Sequence, residues 1–440
     1  MTSPSGNDRD TPGAGDLEGG RLLRCAVELV QRAVAASADE AVQLRPSGAA
    51  TPLNGDKVRC EAAMLLRAAM AVADRDPRLP AALARLGAAL APKNPDELAV
   101  QLCLHPGIAL DLALVPLHLH ALGLGDRRLE PLLGDLFGAD GIRGPERPPN
   151  RELEQVWLHG LWSGEVGQQG LGRALSASSL AWEFDHLAGT TEDAYAFTHA
   201  ILYASDHGRT RVALPRPVEE IVGDADAILA VALDAGNHDV AAEALWTWPM
   251  LGLPWTPLAA EACALLAQVS AEWGFLPGPG FDPSVHQRLP LPERDAYVLQ
   301  TSYHTTLVHG LFLAATLGYN ARREPVPTRQ PSRPMAPPPP AGRVGDAVAA
   351  LLQHGSIAQA WWTRFAALPP EVRDELAPAL VTMALRRAVT AADLSAVQET
   401  LSLAEHHRLP ETPVTRQARI LLRRALICAD LAGVRRQRAS

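Results

Sequence analysis

Lysine is nearly absent from this chain. Lys57 and Lys93 are its only two among 440 residues, and arginine supplies the rest of a positive charge that 49 acids outweigh, for a formal net charge of -9. Nucleic-acid and anionic-membrane surfaces work through a basic field, so neither partner is expected. Cysteine is sparse as well: Cys25, Cys60, Cys103, Cys263 and Cys428 are odd in number and widely scattered. That excludes a disulfide framework and the CxxC spacing of zinc or redox sites, and predicts reduced, mostly buried thiols. No apolar run reaches the roughly 20 residues of a membrane helix. The first residues, MTSPSGNDRDTPGAGDLEGG, lack the basic-then-apolar order of a signal peptide. The expected location is therefore the cytoplasm.

Four further absences narrow the chemistry. Without β-branched runs of period two, a sheet-based fold is not expected. Without a P-loop, a glycine fingerprint after a strand or a GxSxG elbow, a conventional kinase, dehydrogenase or α/β hydrolase is not expected either.

What the chain has instead is helix. Its composition is 47% hydrophobic with only 5% aromatic residues, an alanine- and leucine-rich balance that favours α structure. RLLRCAVELVQRAVAAS and KVRCEAAMLLRAAMAVADRD place apolar residues at i, i+3, i+4 and i+7, the stripe of an amphipathic helix. Further helical runs follow, punctuated by Gly or Pro. This predicts an all-α protein, either an α/α toroid or a stacked helix-hairpin array, with a small C-terminal helical domain.

The expected boundaries follow composition. Residues 1–20 read as disordered, because nothing there offsets the entropy of ordering. Residues 21–320 form the main domain, with a subdivision near 143–152. Residues 321–342 are a Pro-rich linker, and residues 343–440 are the small domain, with Trp361 and Trp362 as core anchors. Its last 25 residues hold seven arginines and one acid, a basic tail read as a solvated helix face.

The stretch AYAFTHAILYASDHGR carries the strongest site signal. At about 100° per residue, Tyr195, His199, Tyr203 and Asp206 fall within about 80° of one another, opposite an apolar face with Phe197, Ile201 and Ala204. A carboxylate near an imidazole can orient it for acid/base work or share a metal with it. A second helix, DAYVLQTSYHTTLVHG, gathers Tyr297, Gln300, Thr301 and His304 on one face. If the two faced each other across one cavity, His199, Asp206 and His304 would make a two-His-one-carboxylate set. No HExxH-type motif accompanies it, and the residues specify neither a metal nor a cofactor.

Other polar clusters read as structural. The acids of EFDH, Glu183 to His186, are expected to face solvent, His118 and His120 to serve surface or capping roles, and His406 and His407 to sit at a helix end. His207 is expected at a helix C-terminus, and Trp246, Trp248, Trp255 and Trp273 are expected in the core.

With YAFTHAILYASDHG and YVLQTSYHTTLVHG in view, the block from about Glu152 to Gly318 resembles an uncharacterised family of actinobacterial all-helical proteins, a domain of unknown function. The matched positions are Thr198, His199, Tyr203, Asp206, Gly208, Tyr303, His304 and Thr305, and the resemblance implies no assigned activity. More remotely, EACALLAQVSAEWGF is similar to the helix-ending repeats of α/α-toroid cyclases. Their chemistry does not follow, because DADA at Asp224 to Ala227 lacks the consecutive acids of a terpene cyclase, and Cys263 alone does not make a lanthionine-cyclase zinc site. The expectation is a bacterial protein of specialised metabolism. Its cavity, lined by His199, Asp206, His304, Tyr195, Tyr203 and Tyr297, would perform acid/base or metal-assisted chemistry on a small molecule or peptide. The alternative is a non-enzymatic helical scaffold or regulator that binds a protein partner.

Overall fold

The computed structural model describes residues 14–37, 53–92, 94–138, 146–164, 168–322, 344–352 and 359–439. Within them every regular element is a helix and no strand occurs, as the periodicity predicts. The helices that matter here are α1 (Ala14–Ser37), α2 (Gly55–Met70), α3 (Leu79–Leu90), α4 (Pro149–Ser163), α5 (Thr191–Ser205), α6 (Val218–Asp234), α7 (His238–Ala244), α8 (Leu291–Arg322), α9 (Ala377–Thr390), α10 (Leu394–His406) and α11 (Pro413–Ala439). They fall into two units, residues 1–145 with 270–323, and residues 146–269 with 324–440.

In the first unit, α1, α2, α3 and α8 pack around a leucine-rich core that includes Leu23, Val27, Leu65, Leu66, Leu83 and Leu86, all at most 1% exposed. Helix α8 is 32 residues long and is buried over most of its centre, from Tyr303 to Leu313. Close packing needs a glycine there: a Cβ on Gly310 would lie 2.9 Å from Leu65 Cδ1 and 3.1 Å from Ala26 Cβ. Helix α2 starts at Asn54, whose side chain accepts the Lys57 N–H at 3.1 Å, satisfying one of the amides that a helix start leaves without an intrahelical acceptor.

Residues 14–20 correct the expectation of disorder, since they form the first turns of α1. The glycines that made this segment look unstructured allow close approach, because a Cβ on Gly20 would sit 2.5 Å from the Arg75 carbonyl oxygen. Residues 1–13, and all of the expected linker beyond Arg322, lie outside the described residues.

The second unit begins at Glu146. Helix α5 opens with a capping box: the Thr190 hydroxyl accepts the Asp193 N–H at 3.3 Å, and the Asp193 carboxylate accepts the Thr190 N–H at 2.7 Å. The helices after residue 344 group with residues 146–269 through arginine pairs and backbone bonds. Arg387 forks onto Asp234 with two contacts of 2.6 Å, and Arg364 reaches Glu261 at 2.5 Å. Arg386 donates to the Gly189 carbonyl at 2.6 Å. On α11, the Gln417 amide accepts the His186 N–H at 3.0 Å and donates to the Phe184 carbonyl at 2.7 Å. Trp361 is 1% exposed and packs on Phe365, as a core anchor should.

Two smaller expectations are overturned. The cysteines form no disulfide among the described residues, but they are not mostly buried: Cys25, Cys60 and Cys263 are half-buried, and Cys103 and Cys428 are exposed. His118 is fully buried within the short helix Leu114–Ala121, not at a surface. That helix packs on α2, which turns His118 inward while His120, one residue beyond Leu119, faces Glu130 at 3.8 Å.

Candidate functional site

The polar face of α5 exists as the helical wheel draws it, and each of its members meets a side chain from α4 or α7. Tyr195 donates its hydroxyl to Asp239 Oδ2 at 2.7 Å. His199 Nδ1 lies 2.9 Å from the Tyr195 carbonyl oxygen and 3.5 Å from Glu243 Oε2. Tyr203 donates to Glu154 Oε1 at 2.9 Å. Asp206 Oδ1 accepts the Trp157 indole N–H at 2.7 Å.

Three carboxylates that the sequence did not single out complete the cluster. Asp239 and Glu243 stand one turn apart on α7, so both point to α5, and each places a carboxylate oxygen within 4.8 Å of the other. Both are buried, as is Glu154 on α4. Thr198 donates its hydroxyl to Glu243 Oε2 at 2.5 Å. Arg151, one turn before Glu154, pairs with Glu154 Oε2 at 2.7 Å. The signal was present in the sequence as acids set inside otherwise apolar runs, LEQVWLHGLW and DVAAEALW.

Burial shapes the protonation states. It pushes the Tyr195 phenol well above the ordinary tyrosine range, and the charges of Asp239 and Glu243 push it further. Tyr203 rises for the same reasons, burial first and Glu154 next. Both phenols therefore stay protonated and act as donors. His199 differs in being partly open, with 30% of its side chain exposed. Its ring sits 5.8 Å from Tyr203 and 6.0 Å from both Tyr195 and Trp246. With Nδ1–H donated to the Tyr195 carbonyl, the neutral ring carries its lone pair on Nε2.

Asp206 plays a different part from the orienting acid the wheel suggested. It caps the C-terminus of α5 in the left-handed region, at φ 47°, followed by His207 at 55° and Gly208 at 79°. A carboxylate at a helix C-terminus opposes the dipole. The Trp157 N–H offsets this, and Arg209 approaches at 4.0 Å. His207 follows the cap, buried against the Trp157 ring at 5.6 Å.

His304 and Tyr297 belong to the first unit, and His199 to the second. Within the first unit, His304 Nδ1 pairs with Glu61 Oε2 at 3.2 Å, and Lys57 joins Glu61 at 3.5 Å. Burial resists ionisation of Glu61, but the hydrogen bonds and charges of His304 and Lys57 outweigh it and hold the carboxyl below its ordinary range. Tyr297 is structural: its oxygen accepts the Asp282 N–H at 2.8 Å and its ring lies 5.8 Å from Phe281.

The remaining clusters sort by burial. Glu183 and Asp185 are exposed, as expected. Trp246 and Trp248 are core residues, and Trp248 stacks on Trp255. His406 and His407 sit at the end of α10. His186, beside those acids, has no exposed side-chain surface and contacts Asp224 at 3.0 Å.

A family model described as Domain of unknown function (DUF6895) matches residues 29–314. The chain belongs to that family. The match takes in the whole α4–α5–α7 cluster and the His304–Glu61 pair, whereas α9, α10 and α11 lie beyond it. No curated protein and no solved structure matches the chain. No helix among the described residues is long and apolar enough to cross a membrane.

Proposed function

We propose that the α4–α5–α7 cluster is the centre of an enzyme performing acid/base chemistry on a small polar molecule or peptide, with His199 as the group that moves the proton. The observation that carries this reading is the contrast within one face. Tyr203, Glu154, Asp239 and Glu243 are buried, while His199, held at Nδ1 and ringed by three aromatic side chains, keeps a partly open edge. A buried acid beside an accessible imidazole stabilises the imidazolium that forms when the ring accepts a proton. Tyr195 and Tyr203, fixed as donors, set the orientation of what binds.

Asp239 and Glu243, with carboxylate oxygens within 4.8 Å of each other, are also of the ligand type that holds a divalent ion, so the same cluster supports a metal-assisted form of the chemistry. Incubating the protein with bacterial small-molecule extract and comparing masses before and after tests the enzyme reading. The wild type is expected to consume a defined set of compounds, and folded His199→Ala to lose at least a hundredfold of that rate. A folded variant that turns over the same compounds at the wild-type rate sinks the proposal. Elemental analysis of untagged protein separates the two forms: a stoichiometric metal, lost in Asp239→Asn and Glu243→Gln, assigns the metal-assisted one.

A specific observation favours a second reading, a scaffold for a protein partner. Helix α11 exposes Ile420, Leu426 and Ile427 at 44%, 68% and 50%, beside Arg423 and Arg424. Under that reading His199→Ala leaves partner binding intact and Leu426→Glu abolishes it.

A further inference from the structure

The second unit holds a cavity on another side of α5, away from the His199 face. It encloses ≈ 270 Å³ and is lined by Phe184, His186, Thr190, Thr191, the α6 residues Ala227, Ile228 and Val231, Val240 and Arg386. Its size sits just under the range of drug-sized pockets, which suits a small metabolite. Its walls are apolar along α6 and polar at one rim. The lining includes one guanidinium and no carboxylate side chain, so its charge complements an anion.

His186 is the second observation. Its side chain has no exposed surface, and Nε2 is 3.0 Å from Asp224 Oδ1. Asp224 is held on its other oxygen by Arg216, which in turn donates to the Leu180 carbonyl at 2.9 Å. Both ring nitrogens of His186 and the facing Asp224 Oδ1 are nonetheless buried without a hydrogen-bond partner, and His186 lines the cavity. Leaving such an atom unmatched costs free energy of order 1–3 kcal/mol, which a polar ligand group in the cavity would offset. Arg386 is positioned by its bond to the Gly189 carbonyl at 2.6 Å, which uses one of its five donors.

We infer that this cavity binds a small organic carboxylate, its apolar body against Ala227, Ile228 and Val231 and its head group toward Arg386 and His186. The site is independent of the His199 chemistry. Arg386 lies beyond the residues that the family model matches, so the site is completed by this chain's own C-terminal helices.

Calorimetry with straight-chain carboxylates of two to eight carbons, and with the alcohols and amines of the same lengths, tests it. The wild type is expected to bind one carboxylate length best, and at least tenfold more tightly than the matching alcohol or amine. Arg386→Gln is expected to abolish that preference, and Val231→Phe, which fills the cavity, to abolish binding while circular dichroism stays unchanged. No carboxylate binding by the wild type, equal binding of alcohols and amines, or full carboxylate affinity in folded Val231→Phe would each overturn the inference. Should either variant fail to fold, the head-group selectivity of the wild type decides the matter.

Discussion

Tyr203 donates its hydroxyl to Glu154 at 2.9 Å with both side chains buried, and so ties α5 to α4 through a charge-assisted hydrogen bond. Arg151 pairs with the opposite oxygen of Glu154 and so does not take the place of the phenol. A hydrogen bond to a charged group contributes about 1.5–3 kcal/mol. Tyr203→Phe is therefore expected to lower unfolding stability by ~2 kcal/mol in urea titrations. Glu154→Gln keeps a carbonyl acceptor for the phenol and is expected to cost less, since the half-exposed Arg151 is solvated by water. A double-mutant cycle should return a coupling above ~1 kcal/mol, and a coupling near zero would show that the bond contributes nothing. The raised Tyr203 and Tyr195 phenols add a pH signature. Their stabilising effect is complete below the unfolded tyrosine value and is lost as pH rises above it, so alkaline absorbance titration should show these two phenols ionising only on unfolding.

Asp206 separates a structural from a chemical role. Its φ of 47° suits Asn and Gly better than Ala, and its oxygen accepts the Trp157 N–H. Asp206→Asn keeps both the acceptor and the tolerance of the left-handed region, so it is expected to change stability by less than ~1 kcal/mol and to leave turnover in the proposed reaction at wild-type level. Asp206→Ala removes the acceptor and adds strain, with an expected loss of ~2–3 kcal/mol. Tryptophan fluorescence should report the altered Trp157 environment in the Ala variant alone. A hundredfold loss of turnover in Asp206→Asn would return the residue to a catalytic role.

The α5 face was legible in the sequence because a period of 3.6 fixes which side chains line up along one helix. What they meet was not. Glu154, Asp239 and Glu243 sit in helices where an acid ordinarily faces solvent, and only the packing of α4 and α7 against α5 converts them into a buried set. His186 shows the same limit from a loop: its neighbours Glu183 and Asp185 are exposed, and no periodicity marks the residue that turns inward to Asp224. The all-α class was readable because helical periodicity is local. The interleaving of residues 270–323 with the N-terminal unit rests on α8 meeting α1 across more than 250 positions, which no local pattern encodes.

Asp226 gives the chain a pH dependence that can be isolated. Burial pushes its carboxyl up to about 6, and the Thr256 hydroxyl, donating at 2.7 Å, only partly opposes the rise. The folded state then holds a proton that the unfolded state releases near pH 4. Stability from this residue is thus complete below pH 4 and is lost as pH rises through about 6. A displacement of about two units corresponds to ~3 kcal/mol, and the residual contact of the side chain with water reduces this to ~1–2 kcal/mol. Asp226→Asn keeps a carbonyl acceptor for Thr256 and carries no charge. It is expected to match the wild type near pH 4 and to exceed it by ~1–2 kcal/mol at pH 7.5, measured as the difference in urea midpoints at fixed ionic strength. A wild-type-minus-variant difference that stays flat from pH 4 to 7.5 would mean that the Asp226 carboxylate is as well solvated in the folded chain as in the unfolded one.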